Sequence, residues 1–547
     1  VPRLIPKRLT FILTALLFLL PLHAVQASQD SFEDLVSQMP NTKLKGMKNI
    51  VSKLSALEDA RLLPLFQSML DGKLYYTKSD KAVVMLGDEL QSADEFSAIS
   101  VINETSIARV AKRDVKKIRV NNSLRKQLRK VIAKLTLSSS DPKKRMEAVD
   151  NLVNDLNDEN IELLTRARQI EQNKSVIKKI DLALNIALLD SDEPAILQNA
   201  IVVLHGELHP AVRNRLSDIL EKDDSDSYIE KDKKTVVLAE ASLQKIQSQL
   251  QFYAFIERIF FGLSLGSVLL LAAIGLSITF GVMGVINMAH GELLMLGAYT
   301  TYVIQLLMPN YIEMSVFVAI PAAFLVCGLV GVAIERGIIQ FLKGRPLETL
   351  LATFGLSLIL QQTVRSIFSP LNRQVSTPEW MSGALQINHG LSLTFNRLYI
   401  IIFSLIVFAL LLLVMKKTAL GLYVRAVSQN RDMAKAVGIR SEWIDAMTFG
   451  LGSGIAGVAG VALSQLTNVG PNLGQAYIID SFMVVVFGGV GNLWGTLVAA
   501  FSLGTASKFL EPVTGTVLAQ ILVLVFIVLF IQKKPRGLFP QQGRSAE

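Results

Sequence analysis

Asn287, His290 and Glu292 stand within six positions of one another in "FGVMGVINMAHGELLMLGAY" (280–299), inside the most apolar half of the chain. An amide, an imidazole and a carboxylate so close together could hydrogen-bond a small polar solute or pass a proton. In hydrocarbon such groups are costly unless they face protein or a water-filled cavity. Asn287 and His290 are three apart, hence neighbours on one helical face. Gly281, Gly284 and Gly291 flank the group and would permit a discontinuous helix beside a pathway. Three other readings stay open: a polar turn at the cytoplasmic end of a span, a structural network between helices, and a proton relay. The relay lacks a second intramembrane carboxylate in line.

A second group is "FGGVGNLWG" (487–495), where Gly488, Gly489, Gly491 and Gly495 interrupt an apolar run. Non-helical backbone at membrane depth is tolerated only where protein or a cavity satisfies it. The glycines therefore either line a pathway or make a tight turn that touches no substrate. A third group is the basic loop 416–449, with helix expected from about Tyr423 to Ala436 between Gly421 and Gly438. A short amphipathic helix between two spans is a docking element. No G-x-x-x-x-G-K-[ST] occurs, so a P-loop motor must sit on another chain. Metal and thiol chemistry lack the means, since Cys327 is the only cysteine. No cofactor is expected.

These groups need elements to hold them. Of the 547 residues, 51% are hydrophobic and 18% charged, but the average hides two regions. Residues 28–250 are polar and residues 251–540 apolar, with 541–547 as a cytoplasmic tail. At the start, Arg3, Lys7 and Arg8 precede an apolar core and the small residues Val25 to Ala27, the layout of a signal peptide over 1–27. Residues 28–250 are then exported. The net charge of +9 and the patch 111–135 would suit nucleic acid, but export argues against that; a solvated face of a helical domain and contact with anionic lipid or a partner protein are the readings left.

About 20 apolar residues cross a bilayer. Candidate spans are 258–281, 288–308, 315–334, 349–368, 397–415, 443–466, a composite 481–510 and 513–531. The third span delivers Glu335, Arg336, Lys343 and Arg345 to the cytoplasm, and the fifth delivers Lys416, Lys417, Arg425, Arg431, Lys435 and Arg440, as the positive-inside rule asks. Reading 481–510 as a re-entrant half-helix plus a return segment keeps "KKPRG" (533–537) inside as well. Gly262/Gly266, Gly450/Gly454 and Ser453/Gly457 place small residues four apart for close helix packing.

The exported region reads as short helices joined by polar turns, opened by Asp-Pro, Glu-Pro and His-Pro pairs. That suggests a HEAT-like repeat, with one β-hairpin over 71–86.

Four stretches in order, "GLSITFGVMGVINMAHGELLMLGAY", "GLYVRAVSQNRDMAKAVGI", "VVFGGVGNLWGTLVAA" and "KPRGLFP", resemble the LivH/LivM-type permeases of ABC importers over roughly 255–540. The long extension ahead of that core resembles the urea-transporting, UrtB-type branch. The resemblance implies an all-α polytopic membrane protein with a type II-like importer core of about eight spans plus a re-entrant segment. It implies a non-enzymatic, multi-pass inner-membrane subunit, most simply for urea, with branched-chain amino acids or short amides as the alternative. An ion-coupled channel or carrier with an outer sensory domain is the further alternative. Implied partners are a second homologous permease, two ABC ATPase subunits, a periplasmic substrate-binding protein and membrane lipid, with no nucleic acid. The pathway residues would be Asn287, His290, Gly291, Glu292, Gly488, Gly489 and Gly491. Gly421, Arg425, Ala426, Asn430, Arg431, Gly438 and Ile439 would form the ATPase-coupling loop.

Overall fold

The computed structural model describes residues 31–57, 59–89, 95–102, 106–223, 227–230 and 232–539. The expected signal peptide and the tail 541–547 lie outside the described residues. The chain divides into two compact units, Val1–Leu243 and Gln244–Glu547.

In the first unit, three helices (Phe32–Gln38, Leu44–Leu54, Leu62–Leu70) lead into an antiparallel sheet. Its strands β1 (Leu74–Thr77), β2 (Val83–Glu89), β3 (Glu95–Ser100), β4 (Ser106–Ala111) and β5 (Val115–Lys117) take the order β4-β3-β2-β1-β5. The expected hairpin is there as β1 and β2, but it forms two strands of five. The basic patch 111–135, read from sequence as one helical face, is part strand and part helix: β5 pairs Tyr75 with Lys117, and helix begins only at Asn122. Strands of three to seven residues are too short to carry much alternation to read.

The helices then follow as expected. Asp141, Glu193 and His209 are N-caps with proline at the first helical position of Pro142–Val153, Pro194–Val203 and Pro210–Ile219. Proline is tolerated there because that N–H has no helical partner anyway. Ion pairs stitch the helices together. Arg145 forks onto both oxygens of Glu171 at 2.7 and 2.9 Å, and Arg215 holds Asp190 at 2.8 Å. The Arg145 guanidinium, hydrogen-bonded to Glu171, holds that carboxyl below the usual range.

The second unit is a helical bundle. Seven of its helices are long and apolar enough to cross a membrane: Lys233–Met283, Pro309–Gly337, Pro346–Phe368, Phe395–Lys417, Ser441–Ser464, Leu493–Thr514 and Thr516–Lys533. Two more pack inside the bundle. His290–Leu307 is diluted by polar residues, and Leu473–Gly488 has 16 residues. Ser441–Ser464 is buried over almost its whole length and forms the centre. Its small residues admit the neighbours: a Cβ on Gly457 would meet Ala323 O at 2.5 Å. That is the close approach expected from the four-residue spacing.

The composite region 481–510 differs from expectation only in where it begins. It is a helical hairpin, Leu473–Gly488 and Leu493–Thr514, closed by a turn at 489–492. The first arm starts eight residues earlier than expected because Gln475 and Asp480 disguise its apolar run. The glycine turn joins the short first arm to the return segment, as the half-helix reading expects.

Candidate functional site

The helix Lys233–Met283 stops at Gly284, whose φ of +69° takes the backbone into a region that favours glycine. Residues 284–289 are non-helical, and a new helix starts at His290. His290 Nε2 lies 2.9 Å from the carbonyl of Ala272. Ala272 is eleven residues before Met283, about 16 Å back along the helix. The broken segment thus climbs back into the bundle, and Asn287, His290 and Glu292 are buried there.

The opposing surface is one face of Pro346–Phe368. Thr349, Thr353, Ser357 and Gln361 repeat every fourth residue and are buried, while Leu347, Leu351, Ile359 and others on the remaining faces are exposed. Thr353 Oγ1 accepts from the Met288 N–H at 3.2 Å, and Ser357 donates to Glu292 Oε1 at 3.0 Å. Gln361 donates to the Pro471 carbonyl and to Asn472 Oδ1, and Arg365 also reaches Asn472, at 2.7 Å. A polar seam runs between this helix, the broken segment 284–292 and the turn before Leu473.

The seam is not fully satisfied. Asn287, His290 and Glu292 are at most 1% exposed. Asn287 Nδ2, His290 Nδ1, Glu292 Oε2 and the Tyr299 hydroxyl find no hydrogen-bond partner among the described residues. Buried polar atoms are normally paired, and unpaired ones call for an explanation. Here the arrangement offers donors and an acceptor to water or to a small polar solute.

The expected pathway residues fall in two places. Gly291 sits with the polar group and lets Leu473–Gly488 approach, since a Cβ there would stand 2.6 Å from Gly474 O. Gly488, Gly489 and Gly491 are at the other end of that helix, fourteen residues and about 21 Å from Gly474. They are brought together with the C-terminal segment instead. The N–H groups of Leu538 and Phe539 donate to the carbonyls of Phe487 and Gly488, at 2.9 and 3.1 Å, and Asn492 Nδ2 donates to the Phe539 carbonyl. Gly489 has a φ of +104° and Phe539 O lies 2.6 Å from its would-be Cβ. Gly491 packs on Gly281. The motif "FGGVGN" and the closing "PRGLF" are thus two halves of one helix cap.

The coupling loop is two helices, Ala419–Gln429 and Arg431–Ala436, rather than one. Asn430 makes the corner, its Oδ1 accepting from Met433 N–H at 2.9 Å. Gly421 packs on the Met415 backbone, Arg425 donates to Met415 O, and Gly438 ends the second helix with a φ of +90°. Ala426 and Ile439 pack on the bundle core. Arg431 points inward: it forks onto Asp445, 0% exposed, at 2.6 and 3.1 Å. Lys343 holds the same carboxylate at 2.7 Å and Glu335 at 3.3 Å. The hydrogen bond to Asp445 raises the already high pKa of Arg431. Gly421 and Arg431 build the loop, while Arg425, Asn430 and Gly438 are exposed on it beside Leu422, Tyr423, Met433 and Val437.

Asp445 and Asp480 escaped the reading of the sequence. Each was legible as an aspartate inside an apolar helix, in "SEWIDAMTFG" and "AYIIDSFMVVV".

The family model described as branched-chain amino acid transport system / permease component matches residues 258–531. The high-affinity branched-chain amino acid transport system permease protein BraD of Pseudomonas aeruginosa is 28% identical over 298 residues, 53% of this chain and 96% of that protein. LivH of Salmonella typhimurium is 29% identical over 299 residues, with the same coverage. The ribose import permease RbsC of Haemophilus influenzae is 24% identical over 229 residues, 40% of this chain and 68% of that protein. No solved structure matches the chain.

Proposed function

Because the chain belongs to the family of branched-chain amino acid transport permease components, we propose that it is the membrane subunit of an ATP-driven importer whose cargo passes along the polar seam. The cargo best supported is a branched-chain amino acid, as for the named relatives, rather than urea. Urea stays as the second reading on one observation: the unit before Leu243 has no counterpart in the matched region of those relatives.

The observation that carries the pathway is the buried break at 284–289 with the unpaired atoms of Asn287, His290 and Glu292 facing the Ser357 side of Pro346–Phe368. Irregular backbone and unpaired polar atoms inside a membrane bundle are what a transport site requires. A proton relay has less support, because His290 Nε2 is taken by a backbone carbonyl. The partners are a second homologous permease, two ATPase subunits, one of them seated on the exposed face of the 419–436 hairpin, and a periplasmic substrate-binding protein. Residues 31–243 are periplasmic in this reading, and the C-terminal segment is cytoplasmic.

The test is ATP-driven uptake of leucine and of urea into proteoliposomes holding the assembled transporter. Glu292→Gln keeps the Ser357 contact and removes the charge. We expect leucine uptake by the parent protein and a fall of at least about tenfold, or about 1.4 kcal/mol, in the variant. Uptake driven by a proton gradient without ATP would overturn the reading.

A further inference from the structure

Asp480 is a carboxylate within the apolar helix Leu473–Gly488, and it makes no hydrogen bond or ion pair with any described residue. It opens into a cavity of about 260 Å³ walled by the helices Lys233–Met283, Leu473–Gly488, Leu493–Thr514 and Thr516–Lys533. The cavity has two unlike sides. Asp480 and Tyr477 face Lys508, Glu511 and Gln520, while Leu269 and Val484 belong to an apolar wall. Lys508 and Glu511 are paired with each other and partly exposed to the cavity space.

We propose that this cavity is a binding station for an aliphatic amino-acid zwitterion in transit. The free carboxylate of Asp480 takes the ammonium group, Lys508 turns from Glu511 toward the carboxylate, and the aliphatic chain lies on the apolar wall. A cavity of about 260 Å³ has room for many water-sized atoms and so for a molecule as small as leucine. A neutral cargo such as urea gains nothing from fixed charges of both signs that must be desolvated. An ionisable residue at membrane depth without a partner is a functional site by default. The proposal rests on the importer reading and adds to it a second, chemically selective place at a distance from Glu292: Gly474, beside Gly291, lies six residues before Asp480 on the same helix.

The experiment uses the assembled transporter, with leucine and urea as probes. Carbodiimide modification of Asp480 is followed by peptide mass spectrometry. We expect leucine to slow that modification severalfold and urea to leave it unchanged. In proteoliposomes with ATP, Asp480→Asn should lower leucine uptake at least tenfold with subunit assembly intact, and Asp480→Glu should restore part of it. Ala476→Trp, placed at the exposed lip of the cavity, should block uptake without disturbing assembly. Equal labelling rates with and without leucine would overturn the station, as would leucine uptake by Asp480→Asn at the parent KM and rate. Loss of the second permease from either variant complex would reassign the cavity to a subunit contact and also overturn it. Absence of ATP-driven leucine uptake by the parent transporter would instead defeat the importer reading, and the station with it.

Discussion

Asp445 is the most heavily used carboxylate in the membrane unit. It is fully buried and holds Arg431 and Lys343 together. Breaking a buried charge pair leaves the other charge stranded, at a cost of about 3–5 kcal/mol. Asp445→Ala should therefore lower the yield of folded protein and its melting temperature in detergent. Arg431→Glu should do much the same, because it sets two carboxylates against each other. A loss of ATPase coupling in Arg431→Glu would consequently report on the loop's foundation rather than on docking. The docking face is tested better at Met433 and Val437, 63% and 71% exposed. Met433→Asp with Val437→Asp should leave the melting temperature unchanged and reduce co-purification of ATPase chains. Unaltered co-purification would remove the docking role from this face.

Among the elements, the helix cap made by the C-terminal segment has the clearest mechanical role. The last carbonyls of Leu473–Gly488 would otherwise be unpaired, and Leu538 and Phe539 satisfy two of them. Gly489→Ala meets both a positive φ and the Phe539 carbonyl, so it should cost on the order of 1–3 kcal/mol. Thermal unfolding of the purified variant measures this. Elements of this kind mark how far the sequence could be read. The break at Gly284 was legible, since three glycines and three polar side chains in an apolar run leave few other arrangements. The cap was not, because it joins residues about fifty positions apart and neither half shows periodicity. The seam on Pro346–Phe368 was also missed. Thr, Ser and Gln at every fourth position change the mean hydropathy too little to notice, although the spacing is plain once sought. Strands β3 to β5 escaped because segments of three to six residues carry too little alternation to read.

At the scale of the whole molecule, the two units should be separable in function. The relatives are covered for 96% of their own length by a match that needs 53% of this chain. A variant lacking residues 31–243 should still take up cargo at the full-length rate once its partners are present. A complete loss, with the shortened chain still inserted, would make the first unit part of the transport cycle. That unit should also have its own acid limit. Glu171 is held ionised by Arg145, so its contribution is complete above the ordinary carboxylate pKa and is lost as pH falls through the lowered folded value. The melting temperature of the unit should drop in that window, and Arg145→Ala should remove that dependence.

The dependence of one helix end on Gly537–Phe539 also orders events during biosynthesis. The hairpin 473–514 is made, and can enter the lipid, before the residues that seal it exist. Until residues 537–539 are made, the carbonyls of Phe487 and Gly488 are left to water. Sealing of this joint therefore follows the hairpin's synthesis rather than accompanying it.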